Sequence, residues 1–391
     1  MFKQQIQQQL DARKEQGLLR TVNDFDFVQA SKLGFKGREY LNFSSNDYLG
    51  IAQDNRAPIS GAGYGATSSP LVVGSEHHHQ ALKSKLLEWL EVPSNFSCVL
   101  FSSGFAANSG VITALFNHRG GNAFLFQDKL NHASLLESGS SVQAKGHCRQ
   151  VRFKHNDIND LQRLFLQKSN RANANLIATE GVFSMDGDSP DLTSMQAFAQ
   201  QNDSLLLIDD AHGIGVRGAS GAGSIQATGA RYSEETIHIV TFGKALGAQG
   251  AAVIAHESIV QYLTNFSKEY IYSTHLSPIQ ALAAERNIDR VMAADSARAN
   301  LKSNIEIFRS LLSPMSYQLL DSDSAIQGIV IGDEQKAVDV AQHCRNQGIW
   351  LSAMRYPTVA RGTARLRVTI TAKHTEQDLN KLAMVLKDCN V

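Results

Sequence analysis

The chain has 391 residues, is 43% apolar and 19% charged, and balances 37 Lys+Arg against 37 Asp+Glu. Such a length suggests two or three domains, and the composition is that of a soluble globular protein able to bury a large core. The even charge argues against a surface that coats nucleic acid or a polybasic membrane patch, and no apolar run reaches the roughly 20 residues of a spanning helix.

Residues 2–19 read as an amphipathic helix, with Phe2, Ile6 and Leu10 at four-residue spacing and Gly17 ending the pattern. This polar start has no apolar core of a signal peptide. The scattered cysteines Cys98, Cys148, Cys344 and Cys389 form no CxxC pair and read as free thiols of a reducing compartment, so the expected location is the cytoplasm. A short strand over 40–43 leads into the turn-rich Ser44-Ser45-Asn46-Asp47. Beyond residue 80, predicted strands at 98–101, 123–126, 175–179, 205–208, 238–242 and 251–255 alternate with helical patterns. That alternation predicts an α/β fold, a largely parallel sheet covered on both faces. A long helix near 279–312 then joins a smaller α+β unit. Its predicted strands are 326–331, 349–353 and 366–370; Ala337, Val340, Ala341, Cys344 and Leu379, Leu382, Ala383, Leu386 mark two amphipathic helices. The expected division is an N-terminal helical arm and short strand (1–45), a large α/β domain (46–285) and a C-terminal α/β domain (286–391).

Chemistry concentrates at the strand ends. Lys244 lies in a turn of small residues, Thr241-Phe242-Gly243-Lys244-Ala245-Leu246-Gly247, directly after a predicted strand. A Walker loop would need Gly at 238 and Ser or Thr at 245, where the chain has His238 and Ala245. A Schiff-base lysine needs that small-residue space and a pKa lowered by burial. Asp209 and His212 close another strand, where α/β sheets bind ligands. They suit a capped turn, a metal site with Asp210, or an acid holding a pyridine nitrogen protonated beside a histidine at the phenolic oxygen. Ser102 to Asn108 places small residues at a helix start, either an ordinary Ser103 cap or a phosphate cradle. Together these are the parts of a pyridoxal-phosphate enzyme.

Other candidates are weaker. His132 suits a surface position, a core position or stacking on a flat ring. His77-His78-His79 lacks the partners of a zinc site, so no metal is expected. Gly213-Ile214-Gly215-Val216-Arg217-Gly218 spells GxGxxG, but no apolar-periodic helix follows, which leaves a dinucleotide reading little support. Among Arg355, Arg361, Arg365 and Arg367, strand alternation sends Arg365 and Arg367 to one face, where one could fork a carboxylate.

Five ordered motifs resemble the α-oxoamine synthases, fold-type-I pyridoxal-phosphate transferases. These are Asn42 to Gly50 (NFSSNDYLG), Ser103 to Asn108 (SGFAAN), Thr179 to Asp188 (TEGVFSMDGD), Asp209 to Gly213 (DDAHG) and Thr241 to Lys244 (TFGK). The resemblance covers essentially the whole chain. It implies a large mostly parallel-sheet domain, a small C-terminal domain, a homodimer, pyridoxal 5'-phosphate as cofactor and no metal. It also implies roles. Lys244 is the Schiff-base lysine, Asp209 pairs with the ring nitrogen, and His212 meets the phenolic oxygen. His132 stacks on the ring and shares in proton transfer, and Ser184 hydrogen-bonds the cofactor. Gly104, Phe105 and Thr241 hold the cofactor and its phosphate, and Thr274 reaches the phosphate in the partner subunit. Asn46 and Arg367 hold the amino-acid carboxylate, while Arg20 and Thr358 contact the acyl substrate. Pro357-Thr358-Val359, Gly362 to Arg367 and the unextended N-terminus with Leu10-Asp11-Ala12-Arg13 look most like the branch that joins L-alanine to a pimeloyl thioester of CoA or an acyl carrier protein. Branches that use glycine share nearly every cofactor residue. The chain departs from the family at Gly65 to Gly74 (GATSSPLVVG), with Pro70 where relatives often carry arginine.

Overall fold

The computed structural model describes residues 1–53, 61–117, 122–168, 174–315 and 317–389. A seven-stranded sheet runs in the order Phe96–Phe101, Ala251–His256, Thr236–Thr241, Leu205–Asp209, Ala174–Glu180, Ala123–Asp128, Arg149–Phe153. Most of its strands are buried over nearly their whole length, because helices cover both faces. Val99, Leu125, Leu207 and Ile239 pack with the helix Gly104–Leu115 on one face; Ile177, Leu206 and Ile208 pack with Phe165 and Phe198 on the other. Parallel pairing brings the ends of three neighbouring strands, at Glu180, Asp209 and Thr241, to one rim.

The sheet adds two features to the expectation of a largely parallel sheet. Ala251–His256 runs antiparallel to both of its neighbours. The stretch 242–250 before it is too short for a parallel crossover of about a dozen residues and turns the chain straight back. Arg149–Phe153 adds an edge strand that the sequence reading missed. Its polar residues suit an edge position.

The N-terminal helix spans Phe2–Glu15, shorter than expected, and none of its residues is buried. Arg38–Asn42 joins a four-stranded sheet with Phe27–Val28, Lys32–Phe35 and Ile349–Trp350. The predicted 349–353 strand is therefore two strands. Ile349–Trp350 pairs with Arg38–Asn42, and Ser352–Met354 turns to pair with Ala364–Thr369 in a second four-stranded sheet with Gln318–Leu319 and Ile326–Gly332. The helices Glu334–Asn346 and Glu376–Lys387 bury their expected apolar residues against the C-terminal unit.

The predicted long helix is also two, Pro278–Met292 and Asp295–Leu312. Arg298 clamps the break, donating to the Val291 and Met292 carbonyls at 2.5 and 3.2 Å at the end of the first helix, where the Ala294 amide also reaches Val291. One apolar cluster runs from Phe43 and Leu82 to Val368 and Leu386, so the large sheet and the C-terminal unit share a core.

Candidate functional site

A cavity of about 350 Å³ opens at the rim where the three strands end, lined among others by Asn46, Gly104, Phe105, Asn108, His132, Glu180, Asp209, His212, Thr241 and Lys244. Lys244 enters from a tight turn. The Gly247 amide donates to the Lys244 carbonyl at 2.9 Å and the Ala248 amide to Phe242 at 2.8 Å. Gly247 has φ +59°, and a Cβ there would lie 2.6 Å from the Ala52 backbone. The turn therefore needs a residue without a side chain.

The lysine amine lies 2.7 Å from His212 Nε2, and His212 Nδ1 lies 2.5 Å from the Tyr48 hydroxyl. Tyr48 donates to Asn46 Oδ1 at 3.3 Å, and Arg367 Nη2 donates to the same oxygen at 3.2 Å. This chain sets the histidine: Nδ1–H donates to Tyr48, and Nε2 accepts from Lys244. Desolvation pushes the Lys244 pKa down to about 8, although Asp209 and Glu180 pull it upward. Desolvation likewise holds His212 well below the usual imidazole range, reinforced by Lys244 and Arg367, so its ring is neutral.

Asp209 is buried, and both its oxygens are held. Oδ2 accepts from Asn108 Nδ2 at 2.6 Å and Oδ1 from the Ala211 amide at 3.1 Å. Asn108 also donates to Ser134 Oγ at 2.8 Å, and Ser134 Oγ lies 2.7 Å from His132 Nδ1. The Ser134 amide approaches the same nitrogen at 3.3 Å, which leaves Nε2 as the protonated nitrogen of His132. The neighbouring Asp210 faces elsewhere and accepts from Ser224 N, Ser224 Oγ and His238 Nε2 at 2.7, 2.5 and 3.3 Å. Here the GxGxxG stretch finds its use. A Cβ at Gly213 would lie 2.1 Å from both Asp210 Oδ1 and Ser224 Oγ, so that glycine makes room for the acid.

Opposite, Ser103 caps the helix Gly104–Leu115 by accepting the Ala106 amide at 3.1 Å. A Cβ on Gly104 would sit 2.6 Å from Thr241 Cγ2. Thr241 Oγ1, Asn108 Oδ1 and Glu180 Oε1 are buried without partners around the cavity. A glycine-floored helix start, a neutral histidine, a lysine of lowered pKa and orphaned polar atoms together fit a phosphorylated pyridine ring.

Arg367 is 6% exposed and donates to the Ser184 carbonyl, Thr369 Oγ1 and Asn46, at 2.8, 2.9 and 3.2 Å. These acceptors are all neutral, which leaves the guanidinium available to a ligand carboxylate. Arg365, on the same face, is spent on Asp186 at 2.6 Å. Ser184 is buried beside the cavity, and its amide donates to Glu180 Oε2 at 3.2 Å. Arg20, Thr358 and Thr274 are exposed and lie outside the cavity lining. His79 is turned inward, with Nε2 2.7 Å from the Leu276 carbonyl.

Sequence reasoning gave no role to Asn108, Glu180 or Tyr48, although each stands inside a quoted motif. Their signal was position: Asn108 follows the helix start at Gly104 and Glu180 ends a strand beside Asp209, while Tyr48 follows Asn46 in the same motif.

A family model for class I and II aminotransferases matches residues 38–386. The 8-amino-7-oxononanoate synthase of Aeromonas hydrophila subsp. hydrophila is 43% identical over 383 residues, covering 96% of this chain and 92% of that one. Among solved structures, the 8-amino-7-oxononanoate synthase of Francisella tularensis superposes with a TM-score of 0.73 at 26% identity, covering 89% of this chain and 97% of that one. A structure of SPT with a PLP internal aldimine has a TM-score of 0.86 at 24% identity, covering 98% of this chain and 96% of that one.

Proposed function

The chain belongs to the class I and II aminotransferase family and, within it, to the 8-amino-7-oxononanoate synthases; on that premise we propose that it joins L-alanine to a pimeloyl thioester, of CoA or of an acyl carrier protein, around pyridoxal 5'-phosphate. The condensation releases the thiol and carbon dioxide, a step of biotin biosynthesis. The observation that carries the reading is the convergence of Lys244, His212 and Asp209 on one cavity, with the unneutralised Arg367 bonded behind its lining residue Asn46.

The cofactor supplies an electron sink for the substrate carbon next to the amine. The chain supplies geometry and proton control. Lys244 would hold the cofactor, and its amine, whose pKa burial lowers to about 8 in the open site, would take the proton from that carbon and later return one. Asp209, fixed by Asn108 and Ala211, keeps the ring nitrogen protonated. His212 serves the phenolic oxygen, held in one tautomer by Tyr48. His132, which lines the cavity, would stack on the ring and share in proton transfer. Ser184 hydrogen-bonds the cofactor, and Gly104, Phe105 and Thr241 receive it and its phosphate at the helix start. Arg367 and Asn46 fork the amino-acid carboxylate, which orients the carbon to be deprotonated.

Arg20 and Thr358 contact the far end of the acyl chain, and Thr274 reaches the phosphate of a second copy, so the working unit is a homodimer. Two observations support that assembly. Thr274 lies outside its own chain's cavity. Nearby, Tyr64, Leu71, Val72, Val73 and Tyr272 are 50–90% exposed, as on a surface that becomes covered. The described segments of this stretch meet, with the His275 amide on the Ser68 carbonyl and the Ile279 amide on Gly63. No described helix is long and apolar enough to cross a membrane. The four cysteines are free, which supports a cytoplasmic location.

The test is a panel of amino acids and acyl thioesters with purified protein. L-alanine plus pimeloyl thioester should turn over well above glycine plus acetyl-CoA or succinyl-CoA. One methyl group is worth only about 1–3 kcal/mol, so slow use of glycine is expected. The reverse order would move the chain to a glycine-using branch, as in 2-amino-3-oxobutyrate or 5-aminolevulinate synthesis.

A further inference from the structure

Glu180 has no role in the account above, yet it stands at the centre of the site. It ends the strand Ala174–Glu180 in register with Asp209 on the neighbouring parallel strand. Registered residues of parallel neighbours leave the sheet on the same face of strands about 4.8 Å apart, so their side chains start out as neighbours. Both carboxyls line the cavity, and the residues are 2% and 5% exposed. For two buried acids on adjacent strand ends, burial and the neighbouring charge both oppose a second ionisation, so one keeps a proton.

The donors decide which one. Asp209 has a donor on each oxygen, Asn108 Nδ2 at 2.6 Å and the Ala211 amide at 3.1 Å, and hydrogen bonds to the charged form favour charge. At Glu180, Oε2 accepts the Ser184 amide at 3.2 Å and the His132 amide adds a weaker pull toward charge, while Oε1 is buried with no partner at hydrogen-bond geometry. A buried carboxylate oxygen with no donor is costly; a protonated one is a donor waiting for an acceptor. The other titratable groups facing this point are Lys244, engaged with His212, and His132 at the start of the helix Ala133–Ala144.

We propose that Glu180 works as a neutral carboxylic acid, with its Oε1–H offered to the cavity's occupant, so that Asp209 is the single carboxylate charge at the ring. Burial first, and the charge of Asp209 second, hold the Glu180 carboxyl well above its usual range; Lys244 pulls the other way without overcoming them. Glu180 is then a positioning residue. It fills the space beside Asp209 and donates a hydrogen bond, and it withholds a second negative charge that would weaken the pairing of Asp209 with a protonated ring nitrogen.

The identity of the occupant rests on the pyridoxal-phosphate reading, but the protonation state does not, so the two are tested apart. Infrared difference spectra of the cofactor-free protein at pH 7, wild type minus Glu180→Gln, should show the carbonyl stretch of a protonated carboxyl, shifted by deuterium exchange. In Asp209→Asn, where the neighbouring charge is gone, that band should disappear at lower pH than in the wild type. Pyridoxal phosphate affinity supplies the second arm. Glu180→Gln keeps a donor and the shape, and should bind within about threefold of wild type. Glu180→Met keeps the volume without a donor, and should lose about tenfold, the scale of one neutral hydrogen bond. A carboxylate band in place of the acid band overturns the proposal. So does a Gln variant as impaired as the Met variant, or a Met variant that binds normally.

Discussion

The floor and the mouth of the cavity are built in different ways. At the floor, three adjacent strands end at Glu180, Asp209 and Thr241, and most of the polar side chains there are held by second residues: Asp209 by Asn108, His212 by Tyr48, His132 by Ser134. At the proposed mouth, Arg20 and Thr358 sit on two separate exposed segments outside the cavity lining. Rigid strand ends can hold charges within the tolerance that proton transfer needs, whereas exposed segments can change with the substrate. Chemistry is thus assigned to the floor and choice of acyl partner to the mouth, and the two should respond differently to mutation.

The largest difference should lie within the floor. Asp209→Asn should lower turnover about a thousandfold, at about 1.4 kcal/mol per decade, because it removes the charge that holds the ring nitrogen protonated. Asp210→Asn should change turnover far less and cost stability instead, since Asp210 braces Ser224 and His238. Steady-state rates on both variants settle it; a larger rate loss for Asp210→Asn would show that the ring lies on the other acid.

The next effect concerns the brace behind the floor. His155 bridges Asp128 at 3.0 Å and Asp188 at 2.8 Å. Burial alone would lower its pKa, but the two carboxylates outweigh burial and raise it to about 10. A base raised in the folded state adds stability that is full below its unfolded pKa of about 6.5 and is lost as pH rises through about 10. His155→Gln should therefore cost roughly 3 kcal/mol in urea unfolding at pH 6 and progressively less toward pH 10. A cost independent of pH would mean that the histidine is not charged.

The mouth should give the smallest changes. Arg20→Ala and Thr358→Ala should each raise KM for the acyl thioester about tenfold, with kcat and the KM for L-alanine little changed. If the KM for L-alanine moved instead, these residues would belong to the amino-acid end and the division would fail.

The floor was readable in the sequence because its residues are punctuation. Lys244, Asp209, His212 and Gly104 sit where a strand stops or a helix starts, and such places announce themselves through small residues and broken periodicity. Asn108, Glu180 and Tyr48 stood in the same motifs, but their partners lie across the fold: Asn108 meets Asp209 and Glu180 lies beside it only once strands pair. The fold errors have similar causes. Arg149–Phe153 carries arginines and a glutamine, which hid an edge strand. The reversal of Ala251–His256 was legible from the short 242–250 connection, but strand propensity carries no direction. The break between Met292 and Asp295 has neither glycine nor proline, and depends on Arg298 folding back. The apolar spacing of Phe2, Ile6 and Leu10 predicted a helix correctly, yet left its apolar stripe 44–82% exposed.

Reduction of the cofactor-loaded protein with borohydride, followed by mass mapping of the pyridoxyl group, tests the central assignment most directly. The account predicts loss of the visible absorption and one modified peptide, with the pyridoxyl group on Lys244, and no such peptide in Lys244→Ala. Modification at another lysine, or a Lys244→Ala variant that still turned over at near-normal rate, would contradict it.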